Sequence, residues 1–363
     1  MRVLFLVSHL NSGGTERTVS YLSKYFAERG IDTIVLSISD EKFYDLGDKV
    51  RYVSLHISRG EKSIVDKLYK VFKRSIIIPK TVKNEKPDVV LCMLPLNGRY
   101  VIRDAIRSKY KLITSERNNP EVVTDEKQKR VRDKVFKASN GIVFQTARAL
   151  QFYPDYIQAK GIVIPNAIGN ELAYSIKKPK KRRKTICAVG RLHKQKNYSL
   201  LIEAFKLVRE KHPEYALEIY GDGPELNNLR ELTIDLKLDT CVTFCGSKPD
   251  ALVRIADAAC YVLSSLYEGM PNALMEALAI GLPCVATDCP NGPAELIING
   301  ENGILVPNNN MDALANGILR MIEDREFSEM CSNNATRILS THSINVNAEK
   351  YLSFIKKVTG EDE

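Results

Sequence analysis

The sequence of 363 residues contains no tryptophan and only five histidines. Its closely spaced cysteines, Cys241 with Cys245 and Cys284 with Cys289, lack the C-x-x-C spacing of zinc sites, and no histidine lies near either pair. We therefore expect no bound metal. No apolar run approaches the ~18–20 residues of a membrane-spanning helix, and the longest runs are flanked by charged residues.

The first residues do not resemble a secretion signal, because a brief apolar stretch leads into Gly13-Gly14 and then into a helix that carries Glu16 and Arg17. Eight cysteines without a disulfide-scaffold pattern fit a reducing compartment. We expect the protein in the cytoplasm. The formal net charge of +9 indicates an anionic partner, or else no more than a generally basic proteome.

Two classes of function are disfavoured by what is missing. No G-x-G-x-x-G run follows the first strand, and Leu226 stands where Gly221-Asp222-Gly223 would need a third glycine. A nicotinamide-dependent dehydrogenase is therefore disfavoured. Nucleic acid is not an expected partner either, because the basic run at 177–184 contains no aromatic residue to stack on bases.

Strand-like runs alternate with helical periodicity along the chain, which predicts an α/β protein with parallel sheets. The alternation breaks near residues 165–184, where Lys177–Lys184 holds seven basic residues in eight and predicts an exposed linker. We predict two Rossmann-like, doubly wound domains, 1–167 and 168–342, with a helix at 343–363 packing back on the first. Predicted strands lie at 3–8, 33–37, 89–93, 112–115, 141–144, 185–189, 217–220, 242–245, 260–263, 284–287 and 303–306.

Open parallel sheets bind ligands beyond the carboxyl ends of their strands, so loops that follow strands are the candidate sites. The first such loop is Ser12-Gly13-Gly14-Thr15-Glu16. Its glycines let the backbone approach a ligand and the helix start offers N–H groups to an anion; a plain tight turn is the alternative. The second loop is Gly190–Asn197, in which Arg191 and Lys196 can converge on one diphosphate, or form a solvated surface loop.

The third and most informative loop runs from Ser264 into a helix that begins near Asn272. Glu268 lies in its Gly/Pro turn, and Glu276 follows at most ~12 Å further along an ideal helix. Carboxylates so placed suit separate hydroxyl groups of one long ligand better than the ~5–9.5 Å pair of a glycosidase. A nucleotide sugar fits, with its diphosphate over the backbone N–H groups of the helix start. The alternative is an amphipathic helix with two exposed glutamates.

Together these motifs resemble the E-x7-E pattern of family 4 glycosyltransferases. Glu268 and Glu276 are its two glutamates, and the resemblance extends over nearly the whole chain through 277–283, Glu295, Gly13-Gly14-x-Glu16, Gly190-Arg191, Lys196-Asn197, 221–224, 242–246 and 303–307. It implies a GT-B fold, in which the two domains face each other across a cleft. It also implies transfer with retention of anomeric configuration and no essential metal or cofactor, in agreement with the lack of a D-x-D motif.

The resemblance also implies roles for individual residues. Arg191 and Lys196 would stabilise the leaving diphosphate, since neutralising that charge is the main catalytic effect available to such a site. Glu268 would hold hydroxyl groups of the donor sugar, and Glu276 those of the ribose. Gly13-Gly14 would line the reaction centre, and the backbone around Gly246 would meet the base. The remaining donor-binding residues implied are Glu16, Gly190, Ser247, Gly269, Met270, Pro271, Asn272, Ala273 and Leu274.

One segment departs from the family pattern. Many relatives place a histidine in the N-terminal domain after a strand, whereas this chain has Thr114-Ser115-Glu116-Arg117-Asn118-Asn119-Pro120. We expect this segment in the cleft, with Glu116 and Arg117 as catalytic candidates. Either one of them performs the role of that histidine or the role is absent, and the assignment stays open.

The chain resembles in particular bacterial enzymes that extend undecaprenyl-diphosphate-linked glycans. That resemblance implies transfer of a hexose or N-acetylhexosamine from a UDP-sugar to a lipid-linked or saccharide acceptor in surface polysaccharide or glycan biosynthesis. A sugar-nucleotide epimerase of the same two-domain architecture is the alternative.

A basic amphipathic segment suggests where a lipid-linked acceptor would be met. In residues 61–78, Ile64, Leu68, Val71 and Phe72 fall on one helical face, and basic side chains cover much of the rest, namely Lys62, Lys67, Lys70, Lys73 and Arg74. Lys127–Lys137 adds six basic residues. This is the pattern of a helix on an anionic membrane surface, or equally of a core-packed helix with a solvated basic face.

Overall fold

The computed structural model describes residues 1–11, 13–57, 63–107, 109–117, 119–169 and 172–361. Two compact units make up the chain. Unit 1 comprises Met1–Gly169 and Ile344–Glu363, and unit 2 comprises Asn170–Ser343. Of the residues named above, Ser12, Lys62 and Asn118 lie outside the described residues, as do the side chains of Ile64 and Lys67.

Unit 1 is built on a parallel sheet in the order β3-β2-β1-β4-β5-β6-β7. Every residue of the first strand after Arg2 is buried, as expected of a strand with helices on both faces of its sheet. The strands are β1 (Arg2–Val7), β2 (Asp32–Ser37), β3 (Arg51–Ser54), β4 (Val89–Cys92), β5 (Lys111–Glu116), β6 (Gly141–Phe144) and β7 (Gly161–Val163).

The helices of unit 1 follow the apolar periodicity of the sequence. Val19, Leu22 and Phe26, spaced three and four residues apart, are fully buried against the sheet. The helices are α1 (Gly14–Glu28), α2 (Ile64–Glu85), α3 (Pro95–Gly98), α4 (Ile102–Ile106), α5 (Glu126–Ala138), α6 (Ala147–Gln151) and α7 (Asp155–Gln158). The last helix of the chain, α17 (Ile344–Thr359), also belongs to unit 1.

Unit 2 repeats the architecture with a parallel sheet in the order β10-β9-β8-β11-β12-β13. Its strands are β8 (Arg183–Val189), β9 (Ala216–Tyr220), β10 (Val242–Gly246), β11 (Ala258–Leu263), β12 (Cys284–Asp288) and β13 (Ile304–Pro307). Its helices are α8 (Leu172–Ser175), α9 (Tyr198–Lys211), α10 (Leu226–Asp235), α11 (Ala251–Ile255), α12 (Asn272–Ala279), α13 (Pro293–Leu296), α14 (Met311–Glu323), α15 (Arg325–Ala335) and α16 (Ile338–Thr341).

The prediction of an α/β protein with two parallel sheets is confirmed, and all eleven predicted strands exist, with ends shifted by at most two residues. Two further strands were not predicted, β3 and β7. Both are short edge strands with partly exposed side chains, so they lack the continuous apolar run that identified the others.

The prediction that the whole basic run at 177–184 is an exposed linker is wrong for its last three residues. Arg183 and Lys184 open strand β8, and Arg182 is partly buried. Arg183 is accommodated because it forms ion pairs with Glu218 and Asp257, each at 2.8 Å. Consecutive basic residues therefore did not mark a linker here, because Glu214, Glu218 and Asp257 pair with Arg183 and Lys184.

Helix α17 follows unit 2 in the sequence but belongs to unit 1. Its buried residues include Ala348, Tyr351 and Ile355, which pack in the same apolar cluster as α1 and β1. Asn347 accepts a hydrogen bond from the Tyr21 hydroxyl at 2.8 Å. The structure thus places the C-terminal helix on unit 1, where the sequence had predicted a helix at 343–363.

None of the helices in the described part of the chain is both long and apolar enough to cross a membrane. All eight cysteines are free thiols, and six of them are buried. Within the described residues, no group of three His, Cys, Asp or Glu side chains is arranged to hold a metal ion.

Candidate active site

The order of the strands in unit 2 reverses between the neighbouring strands β8 and β11, so the chain leaves these two strands in opposite directions. Ligands of open α/β sheets bind at the carboxyl ends of the strands at such a switch point. The loop after β8 holds Arg191 and Lys196, and the loop after β11 holds Glu268. The fold therefore brings together two motifs that are more than seventy residues apart in sequence.

A buried ion pair bridges the switch point. Lys196 Nζ donates to Glu268 Oε1 at 2.6 Å, and the two side chains are only 14% and 7% exposed. Burying two charges is costly unless further hydrogen bonds satisfy them. The further hydrogen bonds described next supply that stabilisation for Glu268.

Further contacts fix the carboxylate of Glu268. The Ser265 hydroxyl donates to Oε1 at 2.6 Å, and Gln195 Nε2 lies 3.5 Å from Oε2 and 2.9 Å from the Tyr267 carbonyl oxygen, to which it donates. The backbone N–H of Glu268 donates to the Pro290 carbonyl at 3.1 Å. Ser265 and Gln195 were missed in the sequence, although both stand within three residues of a predicted site residue at the end of a strand.

Arg191 differs from Lys196 in having an exposed side chain. Its guanidinium has no hydrogen-bond or ion-pair partner among the described residues. A guanidinium group without an ion-pair partner, next to a buried ion pair, is well suited to bind a diphosphate.

The loops after β9 and β10 meet the loop after β8 through their backbones. At Gly221, with φ of 146°, an added Cβ would lie 1.9 Å from the Gly190 carbonyl oxygen, so only glycine permits this crossing. Asp222 Oδ2 accepts from the Ser247 N–H at 2.8 Å, and the Gly221 N–H donates to the Gly246 carbonyl at 3.0 Å. Gly190, Gly246 and Ser247 thus lie at the carboxyl end of the sheet, and their donor-binding role stays a prediction.

The helix that follows the Glu268 loop starts where it was predicted, at Asn272, with Pro271 as its N-cap and no side chain capping it. Met270, Pro271 and Leu274 are buried, so a ligand can meet them mainly through the backbone of the turn, together with Gly269 and Ala273. Asn272 and Glu276 are partly exposed on this short helix. The helix start therefore offers an N-terminal backbone surface beside the ion pair.

Comparison with protein families fits this geometry. Residues 172–338, nearly all of unit 2, match the family described as glycosyl transferases group 1. Unit 2 is a glycosyltransferase domain. The resemblance inferred from its motifs is confirmed, and nothing among the similarities supports the epimerase alternative.

Relatives of the glycosyltransferase domain include enzymes that act on lipid-linked glycans. An α-1,4-N-acetyl-D-galactosaminyltransferase of Campylobacter jejuni, named for an undecaprenol-diphosphate-linked acceptor, is 24% identical over 362 residues. The alignment covers 99% of each of the two chains. A UDP-Gal:α-D-GlcNAc-diphosphoundecaprenol α-1,3-galactosyltransferase of Escherichia coli is 33% identical over 159 residues, which are 43% of this chain and 41% of that one.

Solved structures share the fold over both units. The Anabaena protein HepE in complex with UDP superposes with a TM-score of 0.78 at 17% identity, over 98% of this chain and 100% of that one. Both sheets and their flanking helices therefore have the GT-B fold, as predicted.

In unit 1, the predicted residues Gly13, Gly14 and Glu16 do come together at the start of α1, after strand β1. The Glu16 side chain is 11% exposed and folds against Gly13, where an added Cβ would lie 2.2 Å from Oε2. Its Oε1 lies 3.4 Å from Nδ1 of His9, a nitrogen with no hydrogen-bond partner among the described residues. His9 was missed, although it stands at the end of a strand just before the glycines.

Glu116 and Arg117 are both buried inside unit 1. Tyr153 donates to Glu116 Oε2 at 2.8 Å, while Arg117 Nη2 donates to Thr18 Oγ1 at 2.9 Å and to Asn166 Oδ1 at 2.5 Å. Gln145, with its amide oriented to donate to the Arg117 carbonyl at 3.0 Å, joins the same cluster. These partners give both residues a role in holding the ends of β5, β6 and β7 together.

A thiol lies next to the ion pair of the glycosyltransferase domain. Burial raises the pKa of Cys289 to about 12, and the negative charge of Glu268 adds to the effect while Lys196 opposes it. The thiol is therefore protonated at neutral pH and acts there as a small apolar group.

Proposed function

We propose that the chain is a retaining glycosyltransferase of family 4 that needs no metal. It moves a hexose or N-acetylhexosamine from a UDP-sugar to a hydroxyl group of a lipid-linked oligosaccharide in bacterial surface polysaccharide or glycan biosynthesis. The buried Lys196–Glu268 pair at the switch point of unit 2 is the observation that carries this proposal. UDP as the nucleotide is supported by the donor in the name of the E. coli relative and by the ligand of HepE.

In this proposal the donor lies along the edge of the unit 2 sheet. The base meets the backbone at Gly246 and Ser247, the ribose meets Glu276, and the diphosphate lies over the start of α12 beside Arg191. Glu268 accepts hydrogen bonds from hydroxyl groups of the sugar.

Lys196 and Arg191 then supply the main catalytic effect. As the bond between the anomeric carbon and the diphosphate breaks, negative charge grows on the leaving oxygen, and two cations stabilise it in a poorly hydrated site. Before the donor binds, Glu268 neutralises Lys196. Donor binding therefore exchanges one anionic partner of Lys196 for another, without ever leaving the ammonium group unpaired.

Transfer assays with a panel of UDP-, GDP-, ADP- and dTDP-sugars in the presence of a chelator test the proposal. We expect one UDP-sugar to raise the melting temperature and to be consumed, with an α-linked product from an α-linked donor. Loss of stabilisation in Glu276→Ala would place the ribose. Stabilisation by no nucleotide sugar, or activity only with added divalent metal, would refute the donor or metal-independence assignment respectively.

Helix α2 is the element that would meet the acceptor's membrane, because the apolar side chains of its first half are largely exposed, whereas Lys70, Lys73 and Arg74 are partly buried. Leu68, Phe72 and Ile76 are 64%, 65% and 50% exposed, and they lie on one face with two further exposed apolar residues, Val65 and Tyr69. The core-packed interpretation is therefore wrong for this half, although Ile78 and Val82 are buried. We propose that this face docks on an anionic membrane, with Lys73 and Arg74 beside it.

Vesicle flotation tests the docking of α2. We expect the protein to float with phosphatidylglycerol-containing vesicles at low salt and to lose most of that binding in Leu68→Gln/Phe72→Gln. Ile106→Gln is the matched control, because Ile106 is 67% exposed in the same unit but lies on α4. Equal binding to neutral vesicles would contradict the electrostatic part, and unchanged binding of the double variant would contradict the role of α2.

A further inference from the structure

Unit 2 contains a cavity of about 650 Å³ that the donor site does not use. It lies where the basic run enters strand β8, and its basic lining residues are Lys178, Lys180, Lys181, Arg182, Arg183 and Arg325. Cavities of this size accommodate ligands well beyond a single ion. Five of the seven basic residues at 177–184 are therefore arranged around one open cavity.

Arg182 anchors the positive charge of this cavity. Its guanidinium donates to the carbonyl oxygens of Ala258 at 3.1 Å and Gly281 at 2.8 Å, and it forms no ion pair among the described residues, although the charge of Asp257 acts on it from a greater distance. Carbonyl groups fix its position without neutralising it. Its charge thus remains available to an anion.

Of the other lining cations, Arg183 and Arg325 form ion pairs, whereas Lys178, Lys180 and Lys181 form none among the described residues. Lys178 Nζ donates to the neutral Asn333 Oδ1 at 2.6 Å, and burial together with the charge of Arg182 lowers the pKa of Lys178. Among the described residues that line the cavity, Glu329 is the one carboxylate, and it already pairs with Arg325 at 2.8 Å. The exposed side chains of Lys180 and Lys181 add two more positive charges.

The walls of the cavity are not uniformly polar. Tyr215, Met321 and Ile322 contribute apolar surface beside the cations. An anionic group with an organic remainder, such as a phosphate ester, would therefore find partners for both of its parts.

The cavity is separate from the donor site. It adjoins Arg183, the first residue of β8, whereas Arg191 and Lys196 follow the last residue of that strand. Seven residues of extended chain at ~3.3 Å each place the two ends roughly 20 Å apart. A donor diphosphate bound at Lys196 cannot reach the cavity.

We propose that this cavity is a second anion-binding site, which takes a phosphate- or diphosphate-bearing ligand. The ligand's charge pairs with Lys178, Lys180, Lys181 and Arg182, and its remainder lies against the apolar wall. Its source is either a soluble phosphorylated molecule or a lipid headgroup, and both present the same chemistry to the site.

Isothermal titration of the full chain with inorganic pyrophosphate, in the presence of saturating UDP, tests the site. We expect binding that survives UDP and weakens by about tenfold or more in Lys180→Gln/Lys181→Gln. Lys184→Gln is the matched control, because Lys184 belongs to the same run but pairs with Glu214 and does not line the cavity. Both substituted lysines are exposed, so the variant is expected to fold.

A second arm identifies the source of the ligand. Vesicles with and without phosphatidylglycerol are titrated with Leu68→Gln/Phe72→Gln protein, in which α2 no longer contributes. If this protein still binds the phosphatidylglycerol vesicles, loses that binding when Lys180→Gln/Lys181→Gln is added, and does not bind pyrophosphate, the site would be assigned to a lipid headgroup. Binding of neither probe, or equal weakening by Lys184→Gln, would overturn the proposal. Failure of UDP itself to bind would instead count against the proposed function, and leave the lysine comparison readable without UDP.

Discussion

The two units share one architecture but bridge their switch points differently. In unit 2 a buried ion pair, Lys196 with Glu268, joins the loops after β8 and β11. In unit 1 the corresponding loops, after β1 and β4, are joined by a neutral hydrogen bond between Ser8 and Asn97 at 3.1 Å. A charged centre suits a ligand with a fixed anionic group, and a neutral one suits hydroxyl groups.

This difference explains why the sequence motifs are so unequal. In the proposed function, unit 2 meets the diphosphate and needs defined charges and close backbone crossings, as at Gly221, which restrict the residue at each position. Unit 1 would meet the acceptor and could use ordinary polar side chains that leave no pattern. The family match covers residues 172–338.

Removing the cation of the ion pair is expected to have the largest effect among the changes that test this difference between the units. We expect Lys196→Gln to lower kcat on the order of 10²–10³-fold, or roughly 2–4 kcal/mol of barrier, because the leaving diphosphate loses a buried partner. Lys194→Gln, an exposed neighbour in the same loop, serves as the control and should stay close to the unmodified enzyme. A loss of kcat below about tenfold would show that Arg191 or the helix start carries the effect instead.

Arg117 tests whether charge in unit 1 is structural. Arg117→Met should cost roughly 1.5–3 kcal/mol of stability, because it leaves Thr18 and Asn166 without their charged donor. Calorimetry should show a lower melting temperature, while UDP affinity stays unchanged. Arg103→Met, on the exposed side of α4, is the control. A large fall in kcat without a change in melting temperature would instead make Arg117 catalytic.

Matched serine variants compare the two switch points directly. Ser265→Ala removes a 2.6 Å hydrogen bond to Glu268, a bond to a charged group, and should lower kcat/KM for the donor by about five- to tenfold, or ~1 kcal/mol. Ser8→Ala removes the neutral bond to Asn97 and should change the same constant by less than about threefold. Equal effects would mean that the donor depends on both units alike.

Thiol chemistry gives the smallest and most local effect. Seven of the eight cysteines belong to unit 2, and the raised pKa of Cys289, about 12, keeps it protonated and slow to alkylate near pH 8. In the unfolded chain this thiol ionises near pH 9, whereas the folded protein disfavours its thiolate. The contribution of Cys289 to the free energy of unfolding is therefore complete below pH 9 and is lost as the pH rises towards 12.

Mass spectrometry after brief alkylation should show Cys245, which is partly exposed, reacting well before Cys289. The same reaction in denaturant should remove the difference. Equal rates in the folded protein would mean that unit 2 opens often enough to expose the ion pair to solvent.

Much of the fold could be read from the sequence because buried parallel strands are continuous apolar runs. The same reasoning could not find β3 or β7, whose residues are half exposed, nor the partners that let Arg183 open a strand. In the candidate site, loops such as Gly190–Asn197 were identified by their position after strands. Ser265, Gln195 and His9 were not, because a single polar residue has no pattern until the fold supplies its neighbour.

The return of α17 to unit 1 has a consequence for synthesis of the protein on the ribosome. Residues 1–169 emerge first, but the helix that completes their core emerges only after the 174 residues of unit 2. At translation rates of ~5–20 residues per second, the nascent unit 1 waits roughly 10–35 s with the apolar surface beside Tyr21 and Tyr25 uncovered. During that interval unit 2 can finish folding while the first-made half remains a client for chaperones.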